Sequence, residues 1–172
     1  MLLRWSNILI LLGYITAFIS LVSPFFILFG DVPIVLSKNG EIWKTDFHHF
    51  APADALICFF IIILPTFAWL FAVIQILCLA NYYKKGCIFS YPNTRCFLRI
   101  GIALVVLGIL SNIVSTLLNY YLYYRNISPW LGDIYWLELC DPGFVMAGIF
   151  FIVLGKIMNY GTQLQDNERF TI

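Results

Sequence analysis

Residues 81–101 read NYYKKGCIFSYPNTRCFLRIG. The stretch lies between two pairs of long apolar runs. It carries Lys84, Lys85, Arg95 and Arg99, four of the ten Lys and Arg residues in the chain. Lys and Arg next to apolar spans bias which side of a membrane a loop occupies. A basic turn at the midpoint therefore predicts both a hairpin of two spans and the way that hairpin is oriented. Within the stretch, Gly86 fits a helix C-terminus. Ser90 fits an N-cap, with Pro92 in the first turn that follows. Arg95 and Arg99 are four apart and share a helix face.

On one side of this turn, residues 55–80 run for 26 positions without a charge, interrupted by Pro65. At 1.5 Å per residue that is roughly 39 Å, enough to cross a bilayer core with tilt. On the other side, residues 97–122 form the most polar of the apolar runs. Ser111, Asn112, Ser115, Thr116 and Asn119 fall together on one face, and Gly101 and Gly108 are seven apart. A polar face inside a span is expected to turn towards other helices.

Farther out, residues 8–29 are an uncharged run with Gly13, Thr16, Ser20 and Ser23 at three- and four-residue spacing. Residues 143–158 form the fourth run, with Gly148 and Gly155 seven apart. Asp141-Pro142-Gly143 predicts its start, with Asp141 as N-cap and Pro142 at the first helical position. In the loop 30–54, Asn39-Gly40 predicts a hairpin turn between short strands. The segment 123–142 is predicted to be an outer loop, rich in interfacial Tyr and Trp.

These runs predict an all-α integral membrane four-helix bundle in a single domain, with a central loop at 81–96 and a tail at 159–172. Composition agrees. Of the 172 residues, 62% are hydrophobic and only 11% are charged, and the mean hydropathy is +0.89. Soluble domains average about 25% charged residues. Arg4, Lys84, Lys85, Arg95, Arg99, Lys156 and Arg169 fall on the side of the turn, and Lys38, Lys44 and Arg125 on the other. Seven against three places both termini and the turn in the cytoplasm. The sequence predicts no cleavable signal and no lipid anchor.

The turn and the tail resemble a bacterial family of four-span inner-membrane proteins labelled only as a domain of unknown function. The resemblance rests on Lys85-Gly86-Cys87-Ile88-Phe89-Ser90, Asn93-Thr94-Arg95, Leu98-Arg99-Ile100-Gly101 and the tail Leu164-Gln165-Asp166-Asn167-Glu168-Arg169-Phe170-Thr171-Ile172. The Arg169-Phe170 pair and the terminal Ile depart from the usual ending. The resemblance implies no enzymatic activity. Genes of that family often lie beside a small Xre/Cro-type helix-turn-helix regulator, which implies a cytoplasmic partner of that kind.

The remaining chemistry is sparse. There is no H-E-x-x-H, no G-x-S-x-G and no C-x-x-C, so no catalytic residue and no cofactor is expected. His48, His49, Asp46 and Asp54 are the one metal-like grouping. Adjacent His side chains diverge, so a solvated loop is the expected reading and no metal ligand is assigned. The cysteines read as apolar fillers. Asn126-Ile127-Ser128 fits a glycosylation acceptor by pattern alone.

The expected function is that of a non-enzymatic regulatory or interaction protein. Lys84, Lys85, Phe89, Ser90, Asn93, Arg95, Arg99, Leu164 and Thr171 are its expected partner-binding residues. Its surroundings are the lipid bilayer and copies of itself, with no direct contact to nucleic acid. Pro65, Ser111, Asn112, Ser115 and Thr116 are expected to form a polar face inside the bundle. A lipid or small apolar ligand around Pro65, Asn112 and Thr116 would bias partner binding. The alternative is a small-solute transporter or channel subunit using that face. Against a proton-driven version stands the absence of Asp and Glu from every predicted span.

Overall fold

A computed structural model of the chain describes residues 2–30, 34–38, 41–45, 49–86, 90–128 and 141–169. Four helices account for nearly all of them: α1 Leu2–Phe29, α2 Pro52–Lys84, α3 Tyr91–Tyr124 and α4 Pro142–Arg169. Each is long and apolar enough to cross a membrane. Their outward faces carry large apolar side chains such as Phe18, Phe60, Phe67 and Phe150, each more than half exposed. Water would not tolerate such a surface, whereas lipid does. The chain is therefore read as a multi-pass membrane protein.

The helices run beyond the apolar runs that predict them. α2 reaches Lys84 and α4 reaches Arg169, because residues such as Gln163 and Gln165 continue a helix once the apolar segment has nucleated it. Between α1 and α2 lies an antiparallel hairpin of β1 Ile34–Lys38 and β2 Glu41–Thr45. Its register pairs Lys38 with Glu41 next to the predicted Asn39-Gly40 turn.

Consecutive helices pack on one another, the most extensive interface being α3 with α4. No comparable interface joins α1 to α4. The arrangement is thus a horseshoe rather than a closed bundle. Its concave side holds a cavity of about 400 Å³ to which all four helices contribute.

The α3–α4 seam is glycine-built. A Cβ on Gly101 would lie 2.6 Å from the Gly148 carbonyl oxygen, and a Cβ on Gly148 would lie 2.7 Å from the Gly101 carbonyl oxygen. Backbones this close leave no room for any side chain, which is the use of small residues between membrane helices. At the α1–α2 contact, the buried Ser6 hydroxyl donates to the Ala80 carbonyl at 2.6 Å.

One helix starts at an unexpected height. The Asp141 amide donates to the Gly108 carbonyl at 2.8 Å, and Gly108 lies midway along α3. α4 therefore begins halfway up its neighbour, about 24 Å short of the end of α3 at 1.5 Å per residue. The predicted cap is present: the Asp141 carboxylate accepts from the Gly143 amide at 2.9 Å and the Phe144 amide at 3.4 Å. Asp141 thus precedes α4 as expected, but at the level of Gly108 rather than near the end of α3. At the other end, Gly155 faces Leu98. α4 thus runs on about 10 Å past the start of α3.

Candidate functional site

The basic turn is built on two well-formed helix ends. At the end of α2, the Lys85 amide donates to Asn81 and Tyr82 and the Gly86 amide donates to Tyr83. Gly86 takes φ +76, a left-handed conformation that glycine adopts without the Cβ clash. α3 then starts after Ser90, which has the extended backbone of an N-cap. The predicted side-chain cap is not made. The Ser90 hydroxyl is enclosed without a partner among the described residues, and its carbonyl accepts from the Thr94 amide at 3.2 Å.

Lys84, Lys85, Arg95 and Arg99 are all exposed on this end of the molecule. The Arg95 guanidinium sits 4.4 Å from the centre of the Tyr91 ring, a cation–π contact that limits its rotamers. Lys156 of α4 is exposed as well, and farther along α4 so is Leu164, at 65%. Asn93 is different. It is fully buried at 0% exposure, beside the buried Thr94 and Cys96 on the inner face of the first α3 turns. It therefore supports the turn from inside and is out of reach of a partner, which corrects its place among the contact residues. Phe89 and Thr171 lie outside the described residues.

The polar face of α3 is split rather than gathered inside. Ser111 and Asn112 are half-buried, whereas Ser115 and Thr116 are exposed. The cause is the late start of α4. Residues 101, 108 and 115 follow one another at heptad spacing, so Ser115 continues the seam that α4 packs against. α4 begins at the level of Gly108, and no described helix covers the seam beyond it. Pro65 instead lines a separate recess of about 290 Å³ with Ser20, Ser23 and Thr66. Neither Asn112 nor Thr116 lines it.

At the opposite end from the basic turn, the structure holds a cluster that the sequence reading missed. Asp54, in the first turn of α2, is 6% exposed. Its Oδ1 accepts from the Tyr121 hydroxyl at 2.6 Å and from Arg125 Nε at 2.9 Å, and its Oδ2 accepts from Arg125 Nη2 at 3.2 Å. This two-pronged bridge and the Tyr121 hydroxyl together supply the enclosed Asp54 carboxylate with a matching charge and three donated hydrogen bonds. Beneath it, Phe50, Cys58 and Leu122 form a buried cluster. Asp54 is thereby taken out of the grouping with the histidines. His49 is exposed, Asp46 and His48 lie outside the described residues, and among the described residues no group of metal-binding side chains converges.

A signal for this bridge was present. Tyr121 and Arg125 are four apart on α3, and a short α2–α3 turn sets the start of α2 beside the end of α3. Close by, Asn126 adopts φ 56 as the left-handed residue after α3. Its role there is to end the helix, and Ser128 of the same triplet is buried.

The geometry offers an exposed cationic end, an Asp54–Arg125 ion pair at the opposite end and an apolar concavity between them. No curated protein and no solved structure matches the chain. The model of one family, described as a protein of unknown function (DUF2975), matches residues 2–172, and the chain belongs to that family.

Proposed function

We propose that this is a non-enzymatic regulatory protein of a bacterial cytoplasmic membrane, with both termini inside, that holds a soluble partner at its basic end. The observation that carries this reading is the exposure of Lys84, Lys85, Arg95 and Arg99 on two rigid helix ends. The opposite end has Asp54 satisfied internally by Arg125. Loop cations of this kind orient a membrane protein with that end in the cytoplasm. The α4 extension, with Leu164 exposed, adds an apolar element next to the charges. A small helix-turn-helix regulator with an acidic face is the partner that fits, bound as a protein and not through its DNA. The test is affinity capture of the full chain against a form combining Arg95→Ala with deletion of residues 162–172, both inserted normally. Loss of a soluble protein from the altered form supports the proposal. Unchanged partners and unchanged phenotype reject it.

A second reading, a small-solute pathway, is favoured by one observation: Asp141 stands at mid-height of α3, near the recess with Ser20, Ser23 and Thr66. An acid at that depth is a common mark of transport. It predicts that Asp141→Asn, which keeps the helix cap, or Asn112→Leu abolishes flux of a cation or a small solute in vesicles. Flux that is absent in the wild type, or unchanged in these variants, removes this reading.

A further inference from the structure

The horseshoe leaves its concave side open between α1 and α4, and from its lining we infer that the cavity is a binding site for one alkyl chain of a membrane lipid. The inference is independent of the partner proposed above. The walls are Leu12 and Thr16 of α1, Ala72 of α2, Leu104 of α3, and Ala147 and Phe151 of α4. Two side chains in the lining carry a polar group, Thr16 and Trp69. The Thr16 hydroxyl donates to the Leu12 carbonyl of its own helix at 2.7 Å, which leaves the single Trp69 indole N–H as a donor. A hydrated solute would therefore lose its water and regain few hydrogen bonds.

The α1 lining runs from Leu9 to Thr16, a rise of about 10 Å, along a cavity of about 400 Å³. That length and volume accommodate a stretch of a single hydrocarbon chain, and a second copy's helix laid into the open side would instead leave a lipid probe no saturable site. The site also has an end wall. The rings of Trp69 and Phe144 meet edge-on at 6.3 Å, and both residues line the polar recess on the other side. This pair separates the apolar channel from the hydroxyls of Ser20, Ser23 and Thr66. Access is lateral: Leu9 and Leu12, on the α1 lip, are each about half exposed to the lipid side.

Trp69 provides the readout. The full chain is prepared in nanodiscs of phosphatidylcholine with Trp5, Trp43, Trp130 and Trp136 changed to Phe, so that Trp69 alone fluoresces. The probe is stearic acid carrying a nitroxide at mid-chain. A reference form has Trp69→Phe and Phe60→Trp, reporting from an outward position that is 64% exposed. Quenching at Trp69 is expected to saturate at low probe content and to be relieved by unlabelled stearic acid. Quenching of the reference form is expected to rise in proportion to the probe. Ala147→Phe and Thr16→Phe fill the channel from opposite walls. Each is expected to weaken the saturable phase about tenfold or more, a loss of about 1.4 kcal/mol, while helicity by circular dichroism is kept. Quenching of Trp69 that merely follows the reference form overturns the inference. So does no quenching, or a saturable phase that survives both filling variants in folded protein.

Discussion

Asp54 shows how one side chain can fasten two spans. Its carboxylate is almost wholly enclosed, and it is matched by the Arg125 fork and the Tyr121 hydroxyl. A lysine supplies the charge without the two-pronged geometry. Arg125→Lys should therefore lower the thermal midpoint in detergent less than Arg125→Leu, which leaves the carboxylate without its cation. A smaller effect is expected at Ser6, whose hydroxyl reaches the Ala80 carbonyl. Ser6→Ala should cost about 0.6 kcal/mol, the average for such bonds between membrane helices, as read by a steric-trapping equilibrium.

At the scale of elements, the α3–α4 seam depends on the absence of side chains. Gly101 and Gly148 each leave under 3 Å to the other's carbonyl oxygen. Gly148→Ala should cost about 1–3 kcal/mol through overpacking, and Gly148→Leu should separate the helices, seen as loss of a disulfide engineered across the seam. Gly86→Ala should cost about 1–2 kcal/mol, the Cβ penalty at positive φ, because nothing else crowds that position. Much of this was legible beforehand. Uncharged runs announced four helices, Asn39-Gly40 announced the hairpin and Gly86 announced the end of α2. The heptad-spaced glycines announced a seam. What periodicity does not encode is height. It gives the face a residue occupies on its own helix but not the level at which a neighbour begins. Hence nothing in the sequence marks that Asp141 meets Gly108, and Ser115 and Thr116 were read as interior although α4 does not reach them. The Asp54–Arg125 bridge joins residues 71 apart, and the i, i+4 spacing of Tyr121 and Arg125 marks only one half of it.

The whole molecule is asymmetric from end to end. One end is closed by an internal ion pair over a buried cluster. The other presents exposed cations, from which α4 projects. Asn93, counted among contact residues from its motif, is instead interior. A motif can thus be kept for the shape of a turn as well as for its surface. The central claim is that the basic end holds a soluble protein. The direct measurement places photoreactive residues at Tyr91 and Gln163 in cells, with Tyr120 at the opposite end as reference, all three being exposed. The account predicts one soluble protein captured from positions 91 and 163 and not from 120. Capture of nothing beyond lipid and copies of the chain from all three positions would contradict it.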